Sequence, residues 1–567
     1  MTVIYRILNG LIAQRRLRGV LLAEVEKQVN EKGRKRMIRR KWFLYVTEFF
    51  SGMSVMAVEL GASRLLAPYF SSSQIVWTII IGTIMIAIAI GNVWGGRTAD
   101  KNSNPDRLYI RILVAAVWTA AVPLAGKYVI VGVSALLAFF VGTNFLIWAT
   151  SLSCLILFVF PLLLLGTVTP SLTKFAVNNL DNTGKTVGTL GALNTVGSII
   201  GTFLPTFVTI PAWGTAMTFL IFAGILLLIG GGYFLIIHRR LWRCLITALL
   251  VAGLGLSNRT FRFALSEDGV AYEGESVYNY LQVKEDEKSV VLSTNVLFGV
   301  QSVLVKDGSL TGMYYDYALA APLMADVEDK EKCPLLILGL GSGTYATQCM
   351  RYFDNVDVTG VEIDKKIVSL AETYFCLPED TDVSVFDGRA FLSVREPDKK
   401  YDVIMVDAYQ DITIPFQMST VEFFTLVKEH LNEGGVMVVN MNMRSDREDS
   451  ISQYLCDTIA SVFETAYTVR VQDSTNLELF ASDNPEMLDV YAENIRQLDN
   501  KELSEMMRTV SDGLTPVDGG SRILTDDKAP VELLGMRALD EMIEDELNHY
   551  RNTVKEEGVS GLLNELK

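Results

Sequence analysis

"CPLLILGLGSGT", Cys333–Thr344, decides how the second half of this chain of 567 residues is read. An apolar run ends in a turn with glycines at alternate positions, Gly339, Gly341 and Gly343, and the pattern predicts a helix beginning near Tyr345. Glycines there let a backbone approach a ligand without Cβ clashes. Downstream the unit repeats. "VDVTGVEIDKK" is a second strand ending in Glu362 and Asp364, "DVSVFDGRAFL" a third ending in Asp387, "YDVIMVDAY" a fourth ending in Asp407, and "HLNEGGVMVVNMN" a turn and a fifth. Strands alternating with helices predict a doubly wound, Rossmann-like parallel sheet, which binds ligands at the carboxyl ends of its strands. Four successive strand ends carry a glycine turn, an acid, an acid and an acid.

That order has a chemical reading. An acid after the second strand, Glu362, is placed to accept both hydroxyls of a ribose. Asp387, beside Gly388, stands where a carboxylate accepts from an adenine amino group. The turn is G-x-G-x-G with Ser342 between its last two glycines, and no second phosphate-binding element is visible. S-adenosylmethionine or a relative therefore fits better than a dinucleotide.

Outward from this core the chain divides by composition. Half of its residues are apolar while the formal net charge is −15, so apolar and acidic residues are segregated. Residues 42–257 are almost continuously apolar, and residues 267–567 have the composition of an acidic soluble enzyme. From Gly269, "VAYEGESVYNYLQVKED", "SVVLSTN" and "GVQSVLVKDG" alternate as short strands. The expected parts are a basic arm at 1–41, a transmembrane helical domain at 42–257, a small β-domain at 267–325, the Rossmann-like catalytic domain at 326–485 and a helical segment at 486–567.

A membrane span takes about 20 apolar residues. Eight are expected, at about 43–69, 74–96, 108–126, 128–149, 152–172, 187–210, 214–237 and 241–256. "GTLGALNTVGSIIG" holds Gly197 and Gly201 at the small-xxx-small spacing that suits close helix packing in lipid. Glu48, Glu59 and Arg64 fall inside the first span, where charges mark a site or an internal pair. "GGRTADK" (Gly95–Lys101) resembles a short loop signature of major-facilitator transporters, which indicates a similar helix hairpin. The arm, with "QRRLRG" and "KGRKRMIRRK", reads as a cytoplasmic anchor on anionic lipid, and no secretory cleavage pattern follows it. Eight spans put both chain ends in the cytoplasm, where such a cofactor is made, but leave "HRRLWR" (His238–Arg243) facing out against the positive-inside rule.

Other classes are disfavoured. The acidic enzymatic half argues against nucleic acid. Six scattered cysteines and three histidines, without ligand spacing, argue against a metal. The expected partners are a lipid bilayer and a small-molecule substrate, with homo-oligomerisation left open.

The chain resembles the spermidine synthase (aminopropyltransferase) family, in its membrane-fused form. The resemblance is carried by "ESVYNYLQV", "MYYDYALAAPLM", "LILGLGSGT", "GVEID", "FDGRAFL" and "VDAYQDITIPFQMSTVEFF". It implies a small β-domain before a Rossmann-like one, and transfer of an aminopropyl group from decarboxylated S-adenosylmethionine to an amine with release of methylthioadenosine. By position it makes Asp407 the catalytic acid and Tyr314 a tyrosine lining the substrate channel. Asn279 takes the place of a glutamine against the cofactor, Glu362 holds ribose and Asp387 adenine. Three positions depart from the family. Ser342 replaces an aspartate, Asp411 stands one residue beyond the usual second acid, and "VRVQDSTNLELFAS" lacks a substrate-lining tyrosine. Loss of an acid at Ser342 would admit intact S-adenosylmethionine. That opens an alternative, a lyase in which the methionine carboxylate closes homoserine lactone by intramolecular attack. A transporter with a cofactor-sensing domain is a third reading.

Overall fold

The computed structural model describes residues 41–565, apart from 178–182, 239, 259–260, 265–267, 297–299, 328–330, 409–413, 443–444 and 446. The arm and Asp411 lie outside the described residues. Two compact units form. The first takes in the chain up to Leu65, Trp77–Val133 and Ala149–Phe261, and the second Leu66–Val76, Ser134–Trp148 and Arg262–Lys567.

The first unit is built on the long apolar helices α1 (Lys41–Phe70), α2 (Gln74–Lys101), α3 (Pro105–Ala138), α4 (Phe145–Gly166), α5 (Thr183–Leu204), α6 (Ile210–Ile236) and α7 (Leu241–Asn258). Among the described residues, six stretches are long and apolar enough to cross a membrane, one of them Thr183–Ile236 with 54 residues. That stretch folds back on itself. Gly214 breaks the helix at φ 80° and ψ 170°. Before the break, Gly197 and Gly201 meet the carbonyls of Phe49 and Met53 on α1, so α5 runs parallel to α1. After it, Gly61 of α1 meets Phe219, and Tyr233 near the end of α6 donates to Asp106 Oδ1 (2.7 Å) at the start of α3. Among the described residues seven crossing-length helices result.

Eight spans were expected, and the difference lies at 108–149. Residues Pro105–Ala138 form one helix that continues through Pro123 and Lys127. At 1.5 Å per residue its 34 residues reach about 51 Å, well beyond a 30 Å hydrocarbon core. A lysine inside an apolar run reads as a span end in sequence, but its long stem lets it sit on a continuing helix.

Alternation then sorts the helix ends. The starts of α1, α3, α5 and α7 share one end of the bundle with the finishes of α2, α4 and α6. The finishes of α1, α3, α5 and α7 share the other. Glu48 is buried on α1 and accepts from Thr169 Oγ1 (2.6 Å) and Asn194 Nδ2 (2.9 Å), tying three stretches of the bundle together.

In the second unit, β1 (Val270–Glu275), β2 (Tyr280–Glu285), β3 (Ser289–Ser293) and β4 (Ser302–Val305) form an antiparallel meander. The expected doubly wound sheet follows. Its parallel part orders β9 (Leu431–Met441), β8 (Tyr401–Val406), β5 (Cys333–Leu338), β6 (Val356–Glu362) and β7 (Asp382–Val385). Antiparallel β11 (Leu477–Ser482), β10 (Thr465–Arg470) and β12 (Thr515–Pro516) extend it past β9. Central strands covered on both faces must be apolar throughout, and every residue of β8 is buried. The chain order reverses between β5 and β8, so the crevice at their carboxyl ends lies between Gly339 and Asp407.

Candidate active site

Gly339 (φ +95°) follows β5 so closely under the end of β8 that a Cβ would collide with the backbone carbonyl of Asp407. Only glycine serves here, because the position needs both a left-handed backbone and no side chain. The two strand ends are thereby brought together, and a cleft of about 940 Å³ opens along them. Asn279, Glu362, Asp387, Gly388 and Asp407 line it together with Gly339 and Gly341. Seven of the expected site residues thus converge.

At one end, Glu362 closes β6. Its carboxylate accepts from the backbone N–H of Gly341 (2.9 Å) and of Asp364 (3.0 Å), which fixes the glycine turn to the second strand. Burial pushes its pKa up to about 7, while those two N–H bonds pull it down. Asp364 caps the next helix at Lys366 N (2.9 Å) and also receives Asn279 Nδ2 (3.3 Å), so Asn279 is held over the cleft by the meander sheet. Further along, Asp387 caps the short helix Gly388–Ala390 through Ala390 N (2.9 Å).

At the other end, Asp407 is clamped from both sides. Tyr314 donates its hydroxyl to Oδ2 (2.7 Å) and Asn440 Nδ2 donates to Oδ1 (2.9 Å). Asn476 Nδ2 in turn donates to Asn440 Oδ1 (2.7 Å), which sets the amide orientation of Asn440. Burial pushes Asp407 up to about 7 against these two hydrogen bonds. A carboxylate poised near neutrality and held in one orientation is suited to take a proton. Tyr314 does not line the cleft itself; it lies behind Asp407 as the group that orients it.

Ser342 is elsewhere. Its side chain is buried, 3.5 Å from Thr344 Oγ1, and its N–H donates to Ser302 Oγ (3.1 Å). It lines a separate small recess against β4, not the cleft. The expectation that Ser342 faces the donor's tail is corrected here: the turn directs it toward the meander sheet. Gly343, also expected at the cofactor, makes the left-handed cap of helix Thr344–Tyr352 and packs on Leu377. Asn440 and Asn476 were not singled out from sequence. An asparagine in a strand reads as a turn residue unless its neighbour across the sheet is known.

Residues 313–474 match the spermine/spermidine synthase domain. A probable polyamine aminopropyl transferase of Bifidobacterium longum is 50% identical over 348 residues, which cover 58% of this chain and 77% of that protein. The chain belongs to the polyamine aminopropyltransferase family. A second member, the polyamine aminopropyltransferase of Vibrio vulnificus, is 27% identical over 291 residues, covering 48% of this chain and 93% of its own. Among solved structures, a probable spermidine synthase from Corynebacterium glutamicum shares 22% identity with a TM-score of 0.33, covering 46% of this chain and 99% of that one. As a family member the protein is a transferase. Among the described residues no cluster of His, Cys, Asp and Glu is arranged to hold a metal ion.

Proposed function

We propose that this is an integral-membrane aminopropyltransferase that moves the aminopropyl group of decarboxylated S-adenosylmethionine to an amine. The observation that carries the reading is Asp407, clamped by Tyr314 and Asn440 at the end of a cleft whose far side holds Glu362 and Asp387. Glu362 would accept the ribose hydroxyls and Asp387 the adenine amino group, which directs the sulfonium toward Asp407. The amine attacks the methylene next to sulfur as a neutral nucleophile. A C–N bond forms, the C–S bond breaks, and methylthioadenosine leaves with the electron pair. The proton shed by the amine goes to Asp407.

The lyase alternative needed Ser342 in the cleft to make room for a carboxylate. With Ser342 turned toward Ser302 and Thr344, nothing in the geometry favours it. Incubation of purified protein with decarboxylated or intact S-adenosylmethionine, with and without amines, tests the reading. Methylthioadenosine and an aminopropylated amine are expected from the decarboxylated donor only. Homoserine lactone, or adenosylhomocysteine, as product would overturn it.

The helix count supports a reading of sidedness. Seven crossings would leave the arm and the catalytic half on opposite faces of a membrane. The Arg97–Arg111 connection, Lys174, Lys185, Arg240 and Arg243 all belong to the end of the bundle at which α1 starts. Under the positive-inside rule that end, which holds the larger share of basic residues, is cytoplasmic, although Arg64, Lys127 and Arg262 lie toward the other. The catalytic half then faces outward, in place of the cytoplasmic position expected from eight spans. A supply of donor on that face becomes a requirement of the reaction.

A further inference from the structure

The glycine turn has a second side, and the chemistry above uses none of it. The recess that Ser342 faces, about 370 Å³, lies between β4, residues 308–311 and helix Thr344–Tyr352. It shares no lining residue with the cleft. Thr344, Thr347, Gln348 and Arg351 line it from the helix, at the i, i+3, i+4 and i+7 positions that make one face. That face is exposed at Arg351 and buried at Thr344, so the recess runs from solvent to the back of the turn.

Three groups on this face lack partners among the described residues. Gln348 is 6% exposed, and its Nε2 donates to Asp316 Oδ1 (2.6 Å). A carboxylate only accepts, so the amide oxygen is turned away from it, and nothing donates to that buried Oε1. Thr347 Oγ1 is buried and unpartnered in the same way. Arg351 packs its guanidinium on Gly308 (φ +76°), where no Cβ stands in its way, and forms no salt bridge. Asp307, the acid that feels its charge, is exposed and instead accepts from the N–H of Ser309 (2.9 Å). Buried oxygens left unpaired are costly, and the partners that remove the cost are specific. An amide oxygen takes only a donor, a hydroxyl takes a donor or an acceptor, and a guanidinium takes an anion, best a planar carboxylate. Val303, Val305 and Phe375 add an apolar wall.

We propose that this recess is an effector site for a small 2-amino or 2-hydroxy carboxylic acid with a short apolar tail. The carboxylate pairs with Arg351, the neighbouring N–H or O–H donates to Gln348 Oε1 and Thr347 Oγ1, and the tail lies on Val303, Val305 and Phe375. Residues three apart on a helix hold their Cβ atoms about 5–6 Å from one another. A carboxylate and the substituent on its next carbon bridge that span with a hydrogen bond at each end. An occupant also packs against Ser342 and Thr344, which flank Gly343. It thereby bears on the turn whose Gly341 N–H holds Glu362 at the cleft. Two ligands that share one turn change each other's affinity by the same factor.

The test is calorimetry on the full-length protein in detergent. The probes are L-leucine, its 2-hydroxy analogue, 4-methylpentanoate, which lacks the donor, and inorganic phosphate, which lacks the tail. Leucine or the hydroxy acid should bind, and about tenfold or more tighter than 4-methylpentanoate, which leaves Gln348 Oε1 unmet. Arg351→Gln should weaken that binding by about 5- to 30-fold, the lower part of the range for a charged pair because Arg351 is exposed. Thr347→Val puts a methyl where the unpartnered hydroxyl stands. It should weaken the acid by about three- to tenfold with the melting temperature no lower, whereas a purely structural hydroxyl would show the reverse. Neither variant should move methylthioadenosine affinity by more than about twofold without the acid, and saturating acid should shift the wild-type value by about fivefold or more. Binding of neither acid, phosphate as the only ligand, or binding that survives Arg351→Gln overturns the site. An acid that binds but leaves methylthioadenosine affinity unchanged overturns the effector role. Methylthioadenosine that fails to bind at all counts against the aminopropyltransferase reading of the cleft, while the acid titrations still decide the recess.

Discussion

Replacing Tyr314 by Phe removes one hydroxyl from the clamp on Asp407 and leaves the ring in place. The lost bond is short, 2.7 Å, and its acceptor is a carboxylate, a class of hydrogen bond worth about 1.5–3 kcal/mol. It favours the charged form of Asp407, since the Tyr314 bond lowers a pKa that burial has raised. Without it the pKa must rise. At 1.36 kcal/mol per unit the full range would be about 1–2 units, and because Asp407 keeps some contact with the open cleft the lower part of that range is expected. Only the deprotonated carboxylate can accept the amine's proton. The wild-type acid limb of kcat/KM should therefore lie near the Asp407 value of about 7, and that of Tyr314→Phe about one unit higher. At neutral pH the variant is then slower by about fivefold and recovers as pH is raised. The assay is methylthioadenosine release across pH 6–10 at fixed donor, with the same amine for both proteins so that the acceptor's own titration cancels. A uniform loss at every pH, with the limb unmoved, would show that Tyr314 positions substrate and does not tune Asp407.

Asp407→Asn should lower turnover by about 10²–10⁴-fold, the usual loss for a positioned proton acceptor, with calorimetric affinity for methylthioadenosine within a few-fold of wild type. Glu362→Ala should weaken binding of donor and methylthioadenosine alike by about tenfold or more; equal affinities would put the nucleoside elsewhere. Ser342→Asp should lower the melting temperature by burying a carboxylate beside Ser302 and Thr344, and competition binding should show the order of preference between decarboxylated and intact donor unchanged; a reversed order would return Ser342 to the cleft. Cys376 is exposed on the catalytic unit, Cys244 and Cys456 are half-buried and Cys154, Cys333 and Cys349 are buried, so an impermeant maleimide on intact cells should label wild type more strongly than Cys376→Ser. Labelling that requires permeabilisation would place the catalytic half in the cytoplasm.

The catalytic half was legible because its chemistry sits at strand ends. "LILGLGSGT", "GVEID", "FDGRAFL" and "VDAY" each couple an apolar strand to the residue that follows it, and a parallel sheet gathers those ends along one edge. Glu362, Asp387 and Asp407 could be named from that rule alone. What sequence could not supply was orientation across strands. Asn440 and Asn476 meet only because β11 pairs antiparallel with β9 in one register, and a register is a long-range property. Ser342 was misplaced for a related reason. The alternate glycines fix a turn, but which way Ser342 faces depends on its N–H donating to Ser302 Oγ, forty positions earlier, with its hydroxyl against Thr344. In the helical half hydropathy found the apolar stretches, yet a lysine at 127 was read as an end although the backbone ladder runs through it.

The seam between α1 and α5 has a consequence for how this chain tolerates change. At Gly197 and Gly201 a Cβ would collide with the carbonyls of Phe49 and Met53, so the two helices meet backbone on backbone with no side chain to repack. A core of leucines can absorb a new methyl group by shifting rotamers; this contact has no rotamers to shift. A saturation map of the whole protein should therefore show intolerance at these two glycines as sharp as at Asp407, and alanine there should be as harmful as a larger residue. Loss of function would arise in that region through helices driven apart, with the catalytic residues themselves untouched.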